Sequence, residues 1–181
     1  MTEREYESDL ALRDKLVSGV EKLADNVAST YGPRGRNVII HPKGKNPIVT
    51  KDGVTVAEAV QFSDPFENVA AQIIKQAAAK TATDAGDGTT TATVLARSIY
   101  TAAQKYIAAG ASPVEIKRGI DKTVEAVVDQ LKDISTPIKS AEDIEHIATI
   151  SANGDEVIGK LIAKAVDLAG KDGAIQIEEA R

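Results

Sequence analysis

Gly86-Asp87-Gly88-Thr89-Thr90-Thr91 lies where two helical patterns meet, and its reading decides the rest. Two glycines let the backbone turn tightly and approach a ligand closely. Three hydroxyls and the unpaired N–H groups that open a helix follow them, which together make a ready anion site. Asp87 is out of place in an anion site unless a cation joins it. Mg²⁺ between the carboxylate and a phosphate restores the balance, so the hexapeptide points to a nucleotide–Mg²⁺ site. The plainer alternative, a helix start capped by Asp or Thr, stays open on this run alone. No Gly-Lys-Ser/Thr follows, so this is not the P-loop pattern.

Upstream, Leu12, Leu16, Val20, Leu23 and Val27 recur at helical spacing, which predicts a helix that starts near Ser8 or Asp9 and ends before Gly32-Pro33. Thr30 to Asn37 is a glycine-rich basic loop. Asn37–His41 and Pro47–Thr50 are short β patterns around the turn-forming Pro42–Asn46, which predicts a hairpin whose edges need a partner strand. Lys51-Asp52-Gly53 is a polar turn before a short helix over 54–60. Ser63-Asp64-Pro65 opens the next helix, with Phe66, Ala70, Ile73 and Ala77 on one face.

Downstream, the helix after the Gly-Asp-Gly turn carries Val94, Leu95, Ile99, Ala102, Ala103 and Tyr106 and stops near Gly110. Ser112-Pro113-Val114-Glu115 is a helix start, and Ile116, Ile120, Val124, Val127 and Leu131 form its seam. Gly119 within that helix points to a close crossing, or else is an ordinary tolerated glycine. Pro137 breaks the pattern. Helices over about 140–150 and 155–169 and a strand over Ala174–Glu178 follow, so a domain change is expected near 134–138. A final strand without a partner suggests an incomplete fold.

Three polar loops, Thr30–Arg36, Lys51–Gly53 and Gly86–Thr91, each sit at the end of a helix or strand. Antiparallel packing would gather them at one end of a bundle. Asp87 would then hold Mg²⁺, the threonines would bond phosphate oxygens, and Asp52 would orient water or the metal shell; as an ordinary Asp-Gly turn, Asp52 would do neither.

Composition sets the class. In 181 residues, 43% are hydrophobic, 27% charged and only 3% aromatic, so a soluble fold with an aliphatic, alanine-rich core is expected. The net charge of −5 argues against nonspecific nucleic-acid binding. There is no cysteine to staple the fold or act as a nucleophile. The polar, acidic start resembles no leader, and no apolar run is long enough to span a bilayer, so a cytoplasmic protein without membrane partners is expected. His41 and His146 lack ligand-spaced partners.

The chain closely resembles the N-terminal part of group I chaperonins, the Hsp60/GroEL family. The matching motifs are Tyr31-Gly32-Pro33-Arg34-Gly35-Arg36-Asn37, Thr50-Lys51-Asp52-Gly53-Val54, Ala85–Leu95 around the hexapeptide, Lys117-Arg118-Gly119-Ile120-Asp121 and Ile150-Ser151-Ala152-Asn153. They occur in family order over nearly the whole chain. Tyr31, where the family usually has leucine, and Gly154 depart from the pattern.

The resemblance implies a mainly helical fold: the N-terminal half of an equatorial ATP-binding domain over 1–135, with the hairpin as its stem loop. The start of an α/β intermediate domain would follow over 136–181. It implies that Thr30, Tyr31, Gly32, Pro33 and Lys51 border the phosphates of ATP, with K⁺ at the backbone of Thr30 and Lys51. It implies Mg²⁺ on Asp87, phosphate on Gly88, Thr89, Thr90 and Thr91, a water-positioning role for Asp52, and Ile150 and Ser151 near the nucleotide. The hairpin would add to a neighbouring subunit's sheet. The implied activity is ATP-dependent protein folding by heptameric homo-oligomeric rings. The apical domain, which meets the cochaperonin and non-native proteins, the C-terminal equatorial half and the return segment with its catalytic aspartate have no counterpart here. The isolated chain is therefore expected to be inactive. A non-hydrolysing piece that at most binds Mg–nucleotide, or an assembly module, is the alternative.

Overall fold

The computed structural model describes residues 6–170 and 173–176. By packing the chain divides into two compact units, Met1–Arg118 and Gly119–Arg181.

The first unit holds α1 (Asp9–Ala28), β1 (Val38–Ile40), β2 (Ile48–Thr50), α2 (Gly53–Ala59), α3 (Pro65–Ala85) and α4 (Thr89–Ala108). Its core is small and aliphatic. Val20, Leu23 and Val27 of α1 pack with Val56 and Ala57 of α2 and with Ala70, Ala71 and Ile74 of α3. The α1 stripe is the expected one. On α3 the phase differs: Ile73 and Ala77 face outward, while Ala70, Ala71, Ile74 and Ala78 are buried. Alanine fills so much of α3 that apolar periodicity does not choose a face there. Contact with α1 does, at Gly19, where an added Cβ would overlap the backbone carbonyl of Glu67. Around that crossing Glu67 accepts from Ser18 Oγ at 2.8 Å and from Lys22 Nζ at 2.6 Å. Arg97 of α4 pairs with Asp25 of α1. On α4, Leu95, Ile99, Ala102 and Tyr106 of the expected stripe are exposed, and Thr93 is the residue fully buried.

β1 and β2 pair antiparallel, with Val38 opposite Thr50 and Ile40 opposite Ile48. The sheet has two strands among the described residues. Val38 leans on the core, while Ile39 and Val49, a cross-strand pair, are exposed.

α5 (Pro113–Ile134) runs through the division between the units. It begins at Pro113 as expected, yet none of its residues is buried. The close crossing expected at Gly119 is not found: a Cβ there would meet nothing within 4 Å. Reading a glycine inside a helix as a contact point assumed a neighbour that the described residues do not supply.

In the second unit α6 (Ala141–Ser151) and α7 (Glu156–Ala169) pack as a hairpin. Ser140 and Asp143 form a reciprocal capping box on α6, and Asp155 caps α7. The turn between them puts Asn153 and Gly154 at φ 57° and 88° and returns the Gly154 N–H to the carbonyl of Thr149 at 2.8 Å. Gly159 lets the helices touch, since a Cβ would overlap Thr149. Of the strand expected over Ala174–Glu178, Ala174 to Gln176 show none, and Ile177 and Glu178 lie outside the described residues.

Candidate functional site

All three polar loops of the first unit line one cleft of about 240 Å³. Thr30, Tyr31 and Gly32 come from the first loop, Lys51, Asp52 and Gly53 from the second, and Asp87, Gly88, Thr89, Thr90 and Thr91 from the third. The space is below the range of a pocket for a whole drug-sized ligand and suits a phosphate chain. Of the expected site residues, Pro33 follows Gly32 but does not line the cleft. Ile150 and Ser151 end α6, in the second unit.

The third loop gives the cleft its chemistry. α3 ends at Gly86 (φ 72°), and Gly88 (φ 83°) stands at the N-cap of α4. Both conformations are left-handed, which glycine adopts without the Cβ penalty. At α4 no side chain caps the first-turn N–H groups. By contrast Asp52, Asp64, Ser140 and Asp155 each cap their own helices. The simple capping explanation of the hexapeptide therefore fails. Among the described residues Asp87 accepts the N–H of its neighbour Gly88, at 2.6 Å from Oδ1, and no N–H of α4's first turn. Those donors are left for a ligand.

The second loop is built onto the third. Gly53, which starts α2, is buried because a Cβ there would overlap Oγ1 of Thr90 and approach Oγ1 of Thr89 at 3.2 Å. Two helix N-termini thus converge on one space. Asp52 caps α2, and its Oδ2 accepts from Thr55 N at 2.8 Å and from Thr55 Oγ1 at 2.6 Å. Burial pushes the Asp52 carboxyl up, but the Thr55 hydroxyl and the N–H groups of Thr55 and Val54 outweigh it. The net direction is down, so the group is held ionised. Sequence reasoning placed Gly53 in the loop but not in contact with Thr90. That partner is 37 positions away, and only the burial of a glycine signals it.

The first loop is closed by Arg36 N to Ser29 O and Gly35 N to Gly32 O, both 2.9 Å. Thr30 is buried, and its hydroxyl donates to Val27 O at 2.8 Å. This leaves the backbone of 30–32 to border the cleft.

Among the described residues no three His, Cys, Asp or Glu side chains stand together to hold a metal ion. A divalent cation here would have to share one carboxylate with a ligand that brings its own oxygens, the pattern of Mg²⁺ carried on phosphates. Asp87 beside uncapped donors fits that pattern. No helix among the described residues is long and apolar enough to cross a membrane.

Residues 23–181 match the TCP-1/cpn60 chaperonin family. Among solved structures, the chain is similar to the chaperonin gp146 from the bacteriophage EL 2 (Pseudomonas aeruginosa) in presence of ATP-BeFx. The match to one crystal form has a TM-score of 0.71 at 28% identity, covering 87% of this chain and 28% of that one. The match to another has 0.70 at 28%, covering 85% and 27%. The chain therefore spans under a third of the length of the relatives it matches.

Proposed function

This chain belongs to the TCP-1/cpn60 chaperonin family, and from that premise we propose that its three-loop cleft holds the phosphates of Mg–ATP. The observation that carries the reading is the uncapped N-terminus of α4 on a polar cleft that Asp87 also lines. That the similar gp146 structures were obtained with ATP-BeFx supports it.

The first-turn N–H groups of α4 and the hydroxyls of Thr89, Thr90 and Thr91 bond phosphate oxygens, and the helix dipole favours their charge. Asp87 holds Mg²⁺. The backbone of Thr30 and Lys51, both in the cleft lining, would hold K⁺. Bound Mg²⁺ supplies charge neutralisation on the phosphoryl oxygens during transfer. Asp52, ionised and fixed by Thr55, orients the attacking water. Tyr31, Gly32 and Pro33 flank the nucleotide, and residues 136–181 start an intermediate domain after an equatorial segment over 1–135.

In a complete subunit, differential affinity of ring states for ATP would switch the assembly and drive the refolding of non-native proteins. We place that activity in soluble rings of group I type, in the cytoplasm, with Ile39 and Val49 of the hairpin offered to a neighbour's sheet. The chain's share of its relatives' length favours a second reading for the chain alone: it binds Mg–nucleotide weakly and does not turn it over.

Calorimetric titration with the non-hydrolysed analogue ATPγS, with and without Mg²⁺, tests the site. Magnesium-dependent binding that weakens at least tenfold in Asp87→Ala is expected, the scale of one lost charged contact. Equal binding by the two proteins would refute the metal assignment, and no binding by the wild-type chain at millimolar nucleotide would refute the site.

A further inference from the structure

α2 is only seven residues long, too short to hold itself in water. Its position nevertheless sets the position of Asp52, because the carboxylate is bonded to Thr55 within the same helix. At its N-terminal end the helix is pressed against Thr90 through Gly53. In its middle Val56 and Ala57 are buried in the core. At its far end the N–H of the C-cap Val60 serves the carbonyls of Val56 and Ala57, and one side chain comes from outside to carbonyls beyond them. Lys75 of α3 donates from Nζ to the carbonyl of Val60 and, at 3.3 Å, to that of Glu58. An ammonium at a helix C-terminus is also favoured by the dipole. Lys75 is half-buried, and burial pushes its pKa down while Glu58 opposes this. The cation is thus taken partly out of water to reach these two oxygens.

We propose that Lys75 is a positioning residue for the cleft: by tying the C-terminal end of α2 to α3 it fixes the helix that presents Asp52. Lys75 does not line the cleft. Seven residues at 1.5 Å each put it about 10 Å from the carboxylate, so it acts through the helix and not on the ligand. The inference rests on the reading of the cleft as a Mg–ATP site only for its functional consequence. The mechanical link is independent of that reading.

Amide hydrogen exchange on the full chain reads the link. The N–H of Thr55 bonds the Asp52 side chain, and the N–H of Val56 bonds the Asp52 carbonyl at 3.1 Å. In Lys75→Met these two amides should exchange roughly tenfold faster or more, the scale of a lost charged hydrogen bond. Amides in the middle of α1 and α4 should keep their rates, and Lys75→Arg should restore protection. Unchanged exchange at Thr55 and Val56, or an equal rise across all helices, would overturn the proposal. If Lys75→Met does not fold, Lys75→Gln, which keeps a donor without the charge, is read in the same way. Should the wild-type chain bind no ATPγS, the nucleotide reading falls, while exchange at Thr55 still decides whether Lys75 holds Asp52.

Discussion

α1, α3 and α5 are 20, 21 and 22 residues long, yet they lead opposite lives. α1 buries five residues and α3 four, whereas α5 buries none. The seam of α5 is at least as regular as that of α1, with Val124, Val127 and Leu131 each about half exposed. An apolar stripe is therefore a demand for a partner and not evidence that one is present. α1 and α3 answer each other's demand within the stretch from Asp9 to Ala85. Regular amphipathicity left open, as on α5, is the signature of a surface that some other element covers.

The largest effect that would break this contrast is truncation of Leu23, which is fully buried in the α1–α3 core. Leu23→Ala should cost about 2–5 kcal/mol in urea unfolding, the range for buried leucines. Leu131→Ala on α5, where the side chain is 55% exposed, should stay within about 0.5 kcal/mol. Comparable losses at the two positions would mean that α5 is packed as α1 is.

The helix crossing sharpens the same point. Gly19→Ala would drive a Cβ into the backbone of Glu67, and backbone cannot swing away as a side chain can. A loss of about 1–3 kcal/mol is expected, the usual scale of overpacking, measured by the shift in thermal midpoint.

The polar partners around that crossing titrate. Lys22 first, and then Ser18, hold the Glu67 carboxyl below its usual range. For Asp64 the leading cause of the same downward shift is the N–H of Glu67. In acid the native state then binds fewer protons than the unfolded chain, so stability rises with pH there. The contribution is complete above the ordinary carboxylate range and is lost as pH falls through the lowered native values. Unfolding midpoints measured from pH 6 down to 3 should decline, and Glu67→Gln should flatten the decline. A variant that declines as steeply as the parent would remove Glu67 from the account.

The local signals of this chain were legible, and the signals that depend on distant partners were not. Asp64-Pro65 marks the start of α3, and Ser112-Pro113 marks the start of α5; each acts through backbone within three residues, so the sequence carries the information whole. The cleft was legible for a related reason: the glycines, aspartates and threonines of its loops are costly in regular structure and sit at element ends. The outward turn of Ile73 was not legible, because the alanines of α3 offer two faces and α1 chooses between them. Gly53 was read as a turn residue; its second duty, admitting the Thr90 hydroxyl, depends on α4 lying against α2.

Gly119 gives the smallest effect and the most discriminating one. A glycine inside a helix costs about 0.5–1 kcal/mol relative to alanine through backbone entropy. At Gly19 that cost accompanies a contact, and alanine should destabilise. At Gly119 nothing lies within 4 Å of a new Cβ, so alanine should stabilise the chain by about 0.5–1 kcal/mol. The same substitution thus changes sign between two helices of one molecule. If in a longer form of the protein Gly119→Ala destabilised instead, an element absent from the described residues would be pressing on α5 at that point. The sign of a sub-kilocalorie change would then locate the partner that the seam of Ile120, Val124, Val127 and Leu131 calls for.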